Sequence, residues 1–215
     1  MNALSFLLVS MLEWFALIVL SFTMFRIEIV GNRGQIGFTS FLLSLLSYIL
    51  IVSLGLVTMA TLVQPPVVFL FYWQMFRIPV FYAGLVMTNG YLAYILLTTV
   101  VFGVLQQFLP DIMPDTTVGF VAQIATACTA LIVSRLIDRY RLGYTFVPHG
   151  NRVSVRFTKI NARLLLFTIV GYLVMTSYNF LYFLGNYKLF VLLPVFVSLA
   201  ALQYWVFRKE HTGHD

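Results

Sequence analysis

Polar residues are sparse along this chain, and their positions cut it into seven apolar runs, at about 4–25, 39–62, 67–87, 91–109, 117–137, 164–184 and 189–207. Each run is close to the ~20 residues that a helix needs to cross the hydrocarbon of a bilayer. The pattern predicts one domain over residues 1–215, an all-α polytopic membrane protein of about seven transmembrane helices. The first run has neither a cationic start nor a small-residue cleavage site, so it reads as a retained span and not as a secretion signal.

The breaks between runs differ in kind. Tandem proline at Pro65-Pro66 is expected to turn the chain after the second run, because proline withdraws the N–H that a helix interior needs. Thr88-Asn89-Gly90 reads as a tight turn between the third and fourth runs. The third run is the most polar at its centre, with Gln74, Arg77 and Pro79, and a helix break is expected near Arg77 to Pro79. In the fifth, Ala122, Thr126 and Ala130 recur every fourth residue, a spacing that lets helix backbones approach closely and suggests a place at the centre of the bundle.

Charge adds a direction. Of 13 Lys and Arg residues, Arg135, Arg139, Arg141, Arg152, Arg156, Lys159 and Arg163 crowd the region around residues 138–163, against one acid, Asp138. Cationic loops stay on the cytoplasmic side, so the N-terminus is expected outside and the C-terminus inside. Within that loop Tyr144, Phe146, Val153, Val155 and Phe157 alternate with polar residues around Pro148-His149-Gly150-Asn151, the pattern of a short β-hairpin. Such a ribbon would dock on an anionic leaflet or a partner through Arg139, Arg141, Arg152, Arg156 and Lys159.

Composition agrees with a lipid-solvated chain: 61% of residues are hydrophobic, 9% are charged and mean hydropathy is +0.95. The net charge of +6 belongs to membrane-facing loops and not to a nucleic-acid site, since no basic run is interleaved with aromatics on a soluble face. The single cysteine, Cys128, rules out an internal disulfide and reads as a small packing residue. His149, His211 and His214 lie in the loop or the tail, no acids are spaced for a helical metal site, and no nucleophile elbow occurs. Neither enzyme activity nor a cofactor or metal is expected.

Two charges fall well inside apolar runs, Glu13 and Arg77. An isolated charge at a helix centre costs about 2.5–3.5 kcal/mol on insertion scales. With both runs starting outside, the two residues fall at similar depth and are expected to form a buried ion pair, or Arg77 receives an anionic ligand group. The outer half also gathers amides and aromatics. Tyr72, Trp73, Gln74, Gln106, Gln123 and Asn179, with Gln64 and Tyr178 among others, would line an outward cavity for a peptide or lipid-like ligand, or form an interfacial belt.

Four stretches are similar to a known family: Leu12-Glu13-Trp14-Phe15-Ala16 on to Phe25-Arg26, Phe76-Arg77-Ile78-Pro79-Val80-Phe81-Tyr82-Ala83, Gly90-Tyr91-Leu92-Ala93-Tyr94, and Gly143-Tyr144-Thr145-Phe146-Val147-Pro148. Together they resemble the transmembrane sensor half of peptide-sensing histidine kinases of the accessory-gene-regulator type from Gram-positive bacteria. The resemblance covers roughly the first five runs and implies a bacterial cell-membrane sensor that binds a peptide from outside. It would pass a helix movement to a partner supplying kinase or effector function, as no kinase region follows the seventh run. Two other readings stay open: a transporter for an anionic solute that uses Arg77, and a non-catalytic membrane scaffold.

Overall fold

The computed structural model describes residues 3–108, 117–148, 158–184 and 188–212. Among them the regular structure is entirely helical: α1 (Ala3–Met24), α2 (Arg33–Ser47) continued by a π-helical stretch (Tyr48–Ser53), α3 (Val57–Leu70) continued by a second (Phe71–Met75), α4 (Val80–Leu105), α5 (Thr117–Arg139), α6 (Lys159–Leu184) and α7 (Lys188–Thr212). Five helical stretches, Ala3–Met24, Arg33–Ser53, Val80–Leu105, Val118–Arg139 and Lys159–Tyr178, are long and apolar enough to cross a membrane. The fold is consistent with an all-α polytopic membrane protein.

Cross-contacts sort the helix ends into two groups. The Met24 carbonyl at the end of α1 accepts from Tyr144 N at 2.8 Å, just past α5. Lys209 near the end of α7 reaches Asn161 at the start of α6 and the Tyr82 hydroxyl, 3.4 Å away, at the start of α4. Phe76, after α3, packs edge-on against Phe22 at 4.8 Å. The ends of α1, α3, α5 and α7 therefore meet the starts of α2, α4 and α6 at what we call the loop end, and the other end holds the N-terminus.

The middle of the fold belongs to α1 and α4. Residues 17–24 of α1 are buried without interruption, as are residues 85–92 of α4. They pack tightly at Gly90, where an added Cβ would lie 2.6 Å from Ser21 Cβ and 3.2 Å from Ser21 Cα. Only glycine fits there. Helix α5 does bury Ala122, Thr126 and Ala130, but it exposes Val121, Ile124, Ile132 and Leu136, so it flanks the bundle instead of centring it. Cys128 is on that outer side and is exposed, contrary to a packing role.

Three expected boundaries move. Pro65 and Pro66 lie inside α3, which begins ahead of them at Val57. Apolar helices accommodate proline because neighbouring helices and side chains re-satisfy the freed backbone groups. Thr88, Asn89 and Gly90 also lie inside a helix, α4, where the Asn89 amide nitrogen donates to the Leu85 carbonyl at 2.9 Å. In apolar surroundings a turn there would forfeit ladder bonds that nothing else replaces. The break itself comes after Met75, between the second π-helical stretch and α4, and so includes the expected Arg77 to Pro79 region.

Three of the helices that finish at the loop end, α1, α3 and α5, share a left-handed arginine at the terminus. After α1, Ile27 N donates to the Phe22 carbonyl (2.9 Å) and Arg26 N to the Thr23 carbonyl (3.2 Å), while after α5 Leu142 N reaches Ile137 (3.0 Å) and Arg141 N reaches Asp138 (3.1 Å). This is the Schellman arrangement, normally built with glycine in the left-handed position. Here arginine occupies it, with φ of 46° at Arg26 and 54° at Arg141. Arg77 repeats the conformation at φ 54° after the wider π-helical turn, where Ile78 N donates to the Tyr72 carbonyl at 3.1 Å. Met-Phe-Arg-Ile occurs verbatim at both 24–27 and 75–78, and Tyr140-Arg141-Leu142 is its third variant.

The first arm of the expected hairpin is not a strand. Residues 144–148 are irregular, and the Glu210 carboxylate at the end of α7 accepts from Thr145 N (3.0 Å), Thr145 Oγ1 (2.5 Å) and Phe146 N (3.2 Å). A helix terminus thus satisfies the backbone groups that a partner strand would have taken. The remainder of that hairpin, residues 149–157, lies outside the described residues.

Candidate functional site

A cavity of about 290 Å³ lies in the N-terminal half of the bundle, walled by α1, the end of α2 with its π-helical stretch, α3, α4, α5 and α6. Glu13 lines it and is the only charged residue that does so among the described residues. Around it stand Trp14, Tyr91, Tyr94 and Tyr178, with the amides Gln64 and Gln123. Helical spacing explains the convergence: Ser10, Glu13 and Leu17 fall on one face of α1, and Tyr91, Tyr94, Ile95, Thr98 and Phe102 on one face of α4.

One wall is fixed by a hydroxyl at a three-helix junction. Ser47 Oγ accepts from Trp14 Nε1 (3.0 Å) and from Gln64 Nε2 (2.9 Å), and donates to the Leu43 carbonyl (2.8 Å). The Trp14 indole is also set edge-on to Tyr91, with ring centres 6.1 Å apart. Tyr178 Oη pairs with Thr99 Oγ1 at 3.1 Å. By contrast the Tyr91 and Tyr94 hydroxyls, on residues 7% and 9% exposed, have no hydrogen-bond partner. Buried polar groups are ordinarily satisfied, so two orphaned hydroxyls beside one cavity are exceptions to that rule.

The structure separates the proposed ion pair. Glu13 is 11 residues short of the end of α1, roughly 16 Å at 1.5 Å per residue, whereas Arg77 is exposed at the loop end beyond that terminus. Glu13 and Arg77 make no salt bridge, and Arg77 cannot serve the cavity. The reason is the earlier start of α3: a helix begun at Val57 finishes before Arg77, so that residue falls in the break beyond the helix end instead of at mid-depth.

The other expected ligand residues scatter as well. Tyr72 is buried against Phe22 (5.2 Å) and Phe76 (6.0 Å) on the loop-end side, and Trp73, Gln74 and Gln106 are exposed. Gln123 reaches the cavity, as do Gln64 and Tyr178 from the wider amide and aromatic set, while the Asn179 side chain lies outside the described residues. Of the docking cations, Arg139, Arg141 and Lys159 are exposed at the loop end; Arg152 and Arg156 lie outside the described residues. Sequence reasoning missed Trp14, Ser47, Tyr91 and Tyr94, although the polar face they share at helical spacing was available as a signal.

A second polar assembly connects mid-bundle to the loop end. Gln203 of α7 donates to Asn89 Oδ1 (3.2 Å) and accepts from the Tyr144 hydroxyl (2.8 Å). Beside it Lys209 sits over the rings of Tyr82 and Phe146, both 5.4 Å away, and of Phe81 at 5.9 Å. No family model, curated protein or solved structure matches this chain.

Proposed function

We propose that the protein is a seven-span receptor of the bacterial cell membrane, N-terminus outside and C-terminus inside. It takes a small ligand from the outer side and changes the loop end that a kinase or other effector protein would read. The carrying observation is the cavity itself, with an acid and the aromatic side chains of Trp14, Tyr91, Tyr94 and Tyr178 among its lining residues. Its volume is at the low end for ligand pockets, which favours a small molecule over a whole peptide.

Orientation is supported by the cations. Arg26, Arg33, Arg77, Arg135, Arg139, Arg141, Lys159, Arg163, Arg208 and Lys209 all belong to the loop end, and Lys188 starts α7 at the other. An asymmetry of that size is what the positive-inside rule predicts for a cytoplasmic face. The bacterial membrane rests on the resemblance to Gram-positive sensors. Nothing favours an anion transporter, because Arg77, on which that reading depended, is away from the cavity.

Coupling between the two ends is supported by shared elements: α4 contributes Tyr91 and Tyr94 to the cavity and Asn89 to the Gln203–Tyr144 relay. Hydrogen exchange on the protein in lipid nanodiscs, with and without a compound that protects residues 91–98, tests this. A receptor shows altered exchange at residues 141–147 as well. Protection confined to the cavity would leave a binding protein without signalling.

A further inference from the structure

We infer that the cavity is a site for a small organic cation, a protonated amine carried on an apolar body. This rests on the reading of the cavity as a ligand site and adds the ligand's charge and chemistry. Among the described residues the wall carries one acidic side chain, Glu13, and no Lys, Arg or His to neutralise it. Every other polar contributor is an uncharged hydroxyl, amide or indole.

A carboxylate withdrawn from water and left without a counter-charge is unfavourable, and a cation arriving in the cavity supplies one. An anion would meet repulsion with no compensating donor charge. The rings give the same selection by another route, since Trp14, Tyr91, Tyr94 and Tyr178 surround the acid and aromatic faces attract ammonium groups. Phe6, Leu17, Ile95 and Phe102 leave the far side of the cavity apolar, for a hydrocarbon or aromatic body.

The test compares three probes on one skeleton, 3-phenylpropylamine, 3-phenylpropanol and 3-phenylpropionate, titrated at neutral pH against the full chain in nanodiscs, with affinity read by calorimetry. The amine is expected to bind about tenfold or more tighter than the alcohol, and the acid not at all, as charge-assisted hydrogen bonds and cation–π contacts dictate. Glu13→Gln should abolish the preference for the amine while the alcohol still binds. Equal binding of amine and alcohol to the unaltered protein, whatever the variant does, overturns the cation inference and leaves the ligand site standing. If none of the three binds, the ligand site falls and the inference with it.

Discussion

At the scale of single residues, Tyr144 is the most informative position outside the membrane spans. Its hydroxyl is held by Gln203, and burial, with the Glu210 carboxylate adding to it, pushes its pKa above the ordinary 10.0. A raised acid pKa means that the folded protein favours the protonated phenol. The stabilisation is therefore complete below the ordinary value and is lost as pH rises through the raised one. Tyr144→Phe should cost about 1 kcal/mol at neutral pH through the missing hydrogen bond. It should also show a shallower loss of stability than wild type as pH rises above about 10, read from thermal unfolding in detergent. A wild-type and variant pair with parallel pH profiles would show that this phenol is not held neutral.

At the scale of elements, arginine takes a position that glycine fills more easily. An L-residue in the left-handed region is strained by about 1–2 kcal/mol, and a cation at a helix C-terminus returns about 0.3–1 kcal/mol. Arg77→Gly should thus be more stable than Arg77→Ala by about 1 kcal/mol, since both lose the charge and only alanine keeps the strain. Melting temperatures of the two variants decide it, and equal values would remove strain from the account. This element also shows what was legible beforehand. The break near Arg77 could be read because Pro79 and a cation interrupt an apolar run, and the apolar runs made the all-helical character legible, with five helical stretches among the described residues long and apolar enough to cross a membrane. Helix limits were not legible at Pro65-Pro66 or Thr88-Asn89-Gly90, since those residues break helices in water, where freed backbone groups are hydrated, and not inside an apolar bundle. The cavity was half legible: Glu13, Gln64, Gln123 and Tyr178 stood out as polar residues in apolar runs, whereas Tyr91 and Tyr94 passed as ordinary aromatics. The supposed partner of Glu13 was misplaced by the same error that ended the second run at proline.

At the scale of the whole molecule, the crowding of cations at one end predicts which compartment each end faces. With Cys128→Ser as background, a cysteine at Arg141 should escape a membrane-impermeant maleimide applied to intact cells and react once the membrane is opened, while one at Leu4 reacts from outside. The reverse pattern would invert the orientation and put the cavity mouth on the inner side. The contact between Gly90 and Ser21 then acquires a mechanical meaning. It is a tight contact between the two central helices, with the tyrosines of the cavity just beyond it on one side and Tyr82, under Lys209, on the other. Two rods pinned at one crossing move as a seesaw. On the proposed receptor reading, a guest that wedges them apart on the cavity side of that pivot would draw them together on the other, carrying the change across without the guest itself moving.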